Sequence, residues 1–212
     1  MKCAREQLLL YAVTDRSHLG ERSLYEAVEA AIQGGITCLQ LREKGLSDQE
    51  MLAEARALLP LCRAHNIPLI LNDRVDLALA AGADGVHVGQ EDLEAGLARQ
   101  KLGPDKILGV SAHNVEEALR AQAQGADYLG VGALFPTGTK QNVVATSPDT
   151  LKAICQAVTI PVVAIGGVTG DNLPQLAGCG MAGAAVVSAI FSQPDPAAAA
   201  RRLRQTLEAI VK

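Results

Sequence analysis

Gly35-Ile36-Thr37-Cys38-Leu39-Gln40-Leu41-Arg42-Glu43-Lys44 sets a short apolar run directly before a cluster of polar and charged residues. An apolar run of this length, with a glycine ahead of it, predicts a buried strand. Side chains alternate along a strand, so Gln40, Arg42 and Lys44 share one face and Leu41 and Glu43 the other. An amide and two cations then line one side of a strand exit. Arginine can fork onto two phosphate oxygens, and lysine adds a mobile point charge. Taken alone, the stretch admits two readings: a solvated strand end or a grip for a polyanion.

The same order of apolar strand, polar exit and amphipathic helix recurs along the chain. Leu8 to Val13 leads to Thr14-Asp15-Arg16, and Leu69-Ile70-Leu71 to Asn72-Asp73. Gly85 to Val88 leads to Gly89-Gln90-Glu91-Asp92, Ile107 to Val110 to Ser111, and Tyr128 to Val131 to a long exit over 132–146. Ile160 to Ile165 ends at Gly166-Gly167, and Gly183 to Val187 at Ser188. Predicted helices cover Leu24–Gln33, the residues after Ser47 to about Ala64, Val75–Ala81, a stretch through Ala98, Val115–Gln124, a segment begun by Ser147-Pro148, Asn172–Ala177 and Ala197–Ile210. Ser23, the Ser47/Glu50 capping box and Asn114 mark helix starts. Strands that are continuously apolar belong to a sheet covered on both faces. Eight such units predict an α/β fold, a single (β/α)8 TIM barrel over residues 1–212. An open doubly wound sheet is the alternative, but Thr14-Asp15-Arg16 lacks the glycine pattern of its phosphate loop. The turns Gly82-Ala83-Asp84 and Gly125-Ala126-Asp127 read as structural punctuation.

Composition narrows the function. The chain has 212 residues, 49% of them hydrophobic, and a net charge of −4. That charge argues against a general nucleic-acid or membrane binder. Aromatic residues make up 2%, too few for base-stacking platforms. Five cysteines, none in a C-x-x-C pair, fit neither a disulfide framework nor a zinc ribbon, and suit a reducing cytoplasm. No secretory leader pattern and no membrane-length apolar run is visible. The expected state is a monomer or homodimer.

In a barrel of this kind the chemistry collects where strands end at the carboxyl side. The residues there are Gln40, Arg42 and Lys44, then Asn72 and Asp73, His87, Gln90 and Asp92, Ser111, Thr137-Gly138-Thr139-Lys140, Gly166-Gly167 and Val187-Ser188. Asp73 and Asp92 leave neighbouring strands. Each alone reads as a cap for the helix that follows; as a pair beside phosphate-binding cations they read as a Mg²⁺ site. The hydroxyls, glycine and lysine of 137–140 can cradle a phosphate, with a solvated turn as the plain alternative. Gly166-Gly167 and Val187-Ser188 match the usual barrel phosphate site. His87 reads as a hydrogen-bonded core histidine that could also orient the anion end. Cys38 has nothing beside it that would activate a thiolate.

These residues together resemble the thiamine phosphate synthase (thiamine-phosphate pyrophosphorylase) family. The motifs are Gln40-Leu41-Arg42-Glu43-Lys44, Asn72-Asp73, His87-Val88-Gly89-Gln90-Glu91-Asp92, Gly109-Val110-Ser111, Pro136-Thr137-Gly138-Thr139-Lys140 and Ile165-Gly166-Gly167-Val168. The resemblance implies an Mg²⁺-dependent transferase of thiamine biosynthesis that joins a pyrimidine diphosphate to a thiazole phosphate. It implies that Gln40, Leu41, Arg42, Glu43, Lys44, Asn72, Ser111 and Lys140 surround the pyrimidine diphosphate. Thr137, Gly138, Thr139, Gly167, Val187 and Ser188 then surround the thiazole phosphate, and Asp73 and Asp92 bind the metal. Arg42, Lys44, Ser111 and Lys140 carry the catalytic roles. The sequence departs from the family at Gly45, at Gly138 and over 141–147, which bears on loop motion. A thiazole tautomerase-like barrel and a non-catalytic phosphometabolite-binding barrel are the alternative functions.

Overall fold

The computed structural model describes residues 3–138 and 144–211. Eight parallel strands close into one barrel in sequence order. They are β1 (Leu10–Val13), β2 (Cys38–Leu41), β3 (Leu69–Asn72), β4 (Gly85–Val88), β5 (Ile107–Ala112), β6 (Tyr128–Val131), β7 (Val162–Ile165) and β8 (Gly183–Val186). β8 pairs with β1 through Leu10 and Ala184, which closes the ring. The expected barrel is therefore present, and the open-sheet alternative is excluded.

Helices α1 (Leu24–Gln33), α2 (Asp48–Ala64), α3 (Val75–Ala81), α4 (Ala95–Leu102), α5 (Val115–Ala123), α6 (Pro148–Ala157), α7 (Ser188–Phe191) and α8 (Pro196–Ile210) cover the outside. Their starts follow side-chain chemistry. Ser23 and Ser47 each form a reciprocal capping box, with Glu26 and Glu50. Asn114 and Ser147 cap α5 and α6. Three expectations change. The seventh unit has a 3-10 helix, Leu173–Leu176, instead of an α-helix over Asn172–Ala177. The helix through Ala98 runs on to Leu102, and β5 extends past Val110 to include Ser111. A 3-10 turn at Arg5–Leu8 and the short α7 were not anticipated.

Strand alternation makes two cores. Leu39, Leu41, Leu69, Leu71, Val86, Val88, Leu108, Val110, Leu129 and Val131 face outward under the helices. Tyr11, Val13, Cys38, Ile70, Ile107, Tyr128, Val163 and Ala185 fill the barrel interior. The repeated turns are structural, as expected. Asp84 accepts from the Leu69 amide at 2.9 Å and Asp127 from the Leu108 amide at 2.8 Å.

Candidate active site

Every described residue expected at the site lies at or just beyond the carboxyl end of a barrel strand. Arg42, just past β2, is buried, and its Nη1 donates to Asp15 Oδ2 at 3.0 Å beyond β1. Its amide donates to Thr14 Oγ1 at 3.0 Å, so backbone and side chain are both fixed. Its Nη2 is buried without a hydrogen-bond partner among the described residues. A buried guanidinium nitrogen left unmatched is costly unless a ligand supplies an acceptor. Burial alone would favour the neutral form of Asp15; bonds from Ser17 and the Arg42 guanidinium outweigh it and hold the carboxyl below its usual range. Lys44 is exposed and has no ion pair among the described residues.

Leu41 and Glu43 face the other way. Leu41 is fully buried in the outer core. Glu43 is buried too: its Oε2 accepts from the Arg16 amide at 3.1 Å and lies 3.4 Å from Arg16 Nε. Burial pushes the Glu43 carboxyl up, with its Oε1 left without a partner among the described residues. Neither side chain belongs with Gln40 and Arg42, so a ligand contact at 41 or 43 falls to the backbone.

Asp73 follows β3 with φ at 60°, a left-handed backbone rare outside glycine. The Arg74 amide reaches back to the Asn72 carbonyl at 2.7 Å, closing a γ-turn about Asp73. The Asp73 amide donates to the His87 carbonyl at 2.8 Å, and Asn72 Nδ2 to Asp73 Oδ2 at 2.5 Å. Strained backbone so firmly held is characteristic of functional positions. Asp92 Oδ2 accepts from the Gly89 amide at 2.7 Å, and a Cβ on Gly89 would lie 2.8 Å from that oxygen. Neither aspartate caps a helix. The N-cap positions of α3 and α4 are Arg74 and Glu94, and neither makes a side-chain cap bond. The capping alternative for both residues is thereby removed.

Gln40, His87 and Ser111 are linked inside the barrel through Tyr11 and Tyr128. His87 Nε2 lies 3.0 Å from Ser111 Oγ, and Gln40 Nε2 donates to the Tyr11 hydroxyl at 2.9 Å. On the far side, the exits of β6 and β7 cross closely. The Phe135 amide donates to the Gly166 carbonyl at 3.0 Å. At Gly167 φ is 65°, and a Cβ would fall 2.4 Å from the Pro136 carbonyl oxygen. Only glycine permits that crossing, which brings Thr137 and Gly138 close to Gly167 in the chain path. Val187 and Ser188 follow β8, with Ser188 opening α7. Thr139 and Lys140 lie outside the described residues, as do 141–143 of the departing loop. Cys38 is inert as expected, its thiol pushed well up by burial.

The family model for thiamine monophosphate synthase matches residues 10–190 of this sequence. The chain belongs to the thiamine monophosphate synthase family. It is 53% identical over 194 residues to the thiamine-phosphate synthase of Ruminiclostridium cellulolyticum, covering 92% of each chain. It is 51% identical over 186 residues to that of Clostridium tetani, covering 88% of this chain and 89% of the relative. The solved thiamine phosphate pyrophosphorylase from Pyrococcus furiosus superposes with a TM-score of 0.90 at 38% identity, over 98% of this chain and 99% of that one. Within this thiamine monophosphate synthase fold, three residues at the site escaped the sequence reading: Tyr11, Asp15 and Tyr128. Gln90 links Ser111 to α5, donating to the Ser111 carbonyl at 2.6 Å and accepting from Arg120 at 2.9 Å. A tyrosine inside an otherwise aliphatic strand was the available signal for two of the three.

Proposed function

We propose that this chain joins 4-amino-2-methyl-5-hydroxymethylpyrimidine diphosphate to 4-methyl-5-(2-hydroxyethyl)thiazole phosphate, giving thiamine phosphate and diphosphate. Family membership supports the reading. The observation that carries it is the buried Arg42 guanidinium, held by Asp15 with Nη2 unmatched among the described residues. That is a donor prepared for an anion. Arg42, with Lys44 and Lys140, holds the diphosphate. Gln40, Asn72 and Ser111 hold the pyrimidine ring. Thr137, Gly138, Thr139, Gly167, Val187 and Ser188 hold the thiazole phosphate.

Two aspartates on neighbouring exits fit Mg²⁺, which takes one or two carboxylates and fills its shell with water and phosphate oxygens. The described residues offer no group of three or more metal-binding side chains, so an all-protein cage of the zinc type does not compete. Bound by Asp73 and Asp92, Mg²⁺ would neutralise charge on the diphosphate. The carbon–oxygen bond to diphosphate breaks first, and its electron pair leaves with the diphosphate. Arg42, Lys44 and Lys140 stabilise that growing charge. The aminopyrimidine ring spreads the positive charge left on its methylene carbon. The thiazole nitrogen then donates its lone pair to form the new carbon–nitrogen bond. No protein nucleophile is needed; the remaining contribution is alignment of two substrates by two anion sites.

One barrel over residues 1–212 carries the whole site in this reading. No described helix is long and apolar enough to cross a membrane. Five free cysteines suit a reducing cytoplasm. The test is purified protein with both substrates and Mg²⁺. Thiamine phosphate and diphosphate should form in equal amounts. Binding of both substrates without product would indicate a non-catalytic barrel; turnover of a thiazole phosphate alone would indicate a tautomerase.

A further inference from the structure

Five side chains form a continuous hydrogen-bonded line across the barrel interior. Gln40 Nε2 lies 2.9 Å from the Tyr11 hydroxyl, which lies 2.8 Å from the Tyr128 hydroxyl. The Tyr128 hydroxyl is 3.0 Å from His87 Nδ1, and His87 Nε2 is 3.0 Å from Ser111 Oγ. The line thus begins and ends on two residues assigned above to the pyrimidine ring. Its middle members are buried: Tyr11 is 1% exposed, Tyr128 0% and His87 8%. The strands leave room for it. A Cβ on Gly109 would sit 2.2 Å from Tyr128 Cζ and 2.5 Å from His87 Nδ1, and one on Gly130 would sit 3.1 Å from His87 Cε1. Polar groups buried this deeply need partners, and a fully matched network fixes the orientation of each member.

The line also has a direction. Burial holds both tyrosine hydroxyls well above their usual range, so each keeps one hydrogen. Gln40 Nε2 donates into Tyr11. Tyr11 must then give its hydrogen to Tyr128, and Tyr128 must give its own to His87 Nδ1. His87 is thereby the Nε2–H tautomer and donates to Ser111 Oγ. At the ends, the Gln40 Oε1 acceptor, the second hydrogen of its Nε2 and the Ser111 hydroxyl hydrogen make no hydrogen bond among the described residues.

We propose that Tyr11, Tyr128 and His87 are positioning residues that set the polarity of the ring pocket, making Gln40 present an acceptor and Ser111 a donor. That pattern suits an amino-substituted nitrogen heterocycle, which offers N–H donors and ring-nitrogen acceptors. The inference rests on the assignment of Gln40 and Ser111 to the pyrimidine. The opposite direction, from Ser111 through an Nδ1–H histidine to the Gln40 carbonyl, would present the reverse pattern, with Gln40 a donor and Ser111 an acceptor.

Long-range ¹H–¹⁵N spectra of the full chain with labelled histidine read the tautomer directly, with His87 assigned by its loss in His87→Asn. The expected result is a protonated Nε2 and an unprotonated Nδ1; the reverse overturns the proposal. Tyr11→Phe keeps the ring and cuts the line between Gln40 and Tyr128. It should raise the KM for the pyrimidine diphosphate about tenfold while the KM for the thiazole phosphate stays within about twofold. Equal changes in both, or none, overturn the positioning role. Wild-type protein that made no thiamine phosphate would instead refute the underlying activity, and the histidine spectrum would still decide the direction.

Discussion

Arg42→Ala isolates the donor anion site. The guanidinium is fixed by Asp15 at 3.0 Å, and its buried Nη2 matches no acceptor among the described residues. A charge-assisted hydrogen bond from such a group contributes roughly 1.5–3 kcal/mol. Losing one strong contact, or two moderate ones, removes about 3 kcal/mol from a state in which diphosphate is leaving, or about a hundredfold in rate. The fold should tolerate the change. Asp15 keeps its bonds from Ser17, at 3.1 Å from the amide and 2.5 Å from the hydroxyl, and the residue 42 amide keeps Thr14. Initial rates with each substrate varied in turn supply the assay. The expected outcome is a loss of about a hundredfold in kcat/KM for the pyrimidine diphosphate, with the KM for the thiazole phosphate changed by less than about threefold. Arg42→Lys should recover little, because an ammonium cannot reproduce the fork. A larger effect on the thiazole phosphate would mean that the two anion sites are assigned the wrong way round.

Asp73→Ala and Asp92→Ala should each shift the Mg²⁺ needed for half-maximal rate upward by at least about tenfold, corresponding to about 1.4 kcal/mol; titration of rate against Mg²⁺ checks this, and an unchanged requirement in both variants would leave them as loop-fixing residues. The Glu43 carboxyl is pushed above its ordinary value of 4.5 by burial. The folded state therefore holds a proton that the unfolded chain has released, and stability should fall as pH rises from about that ordinary value through the raised one. Glu43→Gln should flatten this slope in urea unfolding measured between pH 4 and 8; a slope identical to wild type contradicts the assignment.

The barrel was legible because parallel strands covered on both faces read as unbroken apolar runs, and because Ser23, Ser47, Asn114 and Ser147 announce helices through their own side chains. What escaped was short. Four residues at Arg5–Leu8 or Ser188–Phe191 complete barely one turn and leave no periodic signal. The rim residues were legible for a similar reason: each is a polar residue placed where an apolar run stops. The partners of those residues were not. Tyr11 and Tyr128 stand 117 positions apart and meet only because β1 and β6 face each other across a closed barrel. Asp15 reads as a turn residue until the pairing of β1 with β2 sets it against Arg42. Asp73 and Asp92 read as helix caps until the helices begin one or two residues later than the caps would require.

The proposed reaction requires a polyanion to meet Arg42 and a cation to sit at Asp73 and Asp92, and a crystal structure with diphosphate and Mg²⁺ tests both directly. The expected result is a diphosphate oxygen within hydrogen-bond distance of Arg42 Nη2 and a cation ligated by Asp73 and Asp92. Diphosphate seated on Gly167 and Ser188, with Arg42 Nη2 untouched and no cation at the aspartates, would contradict it.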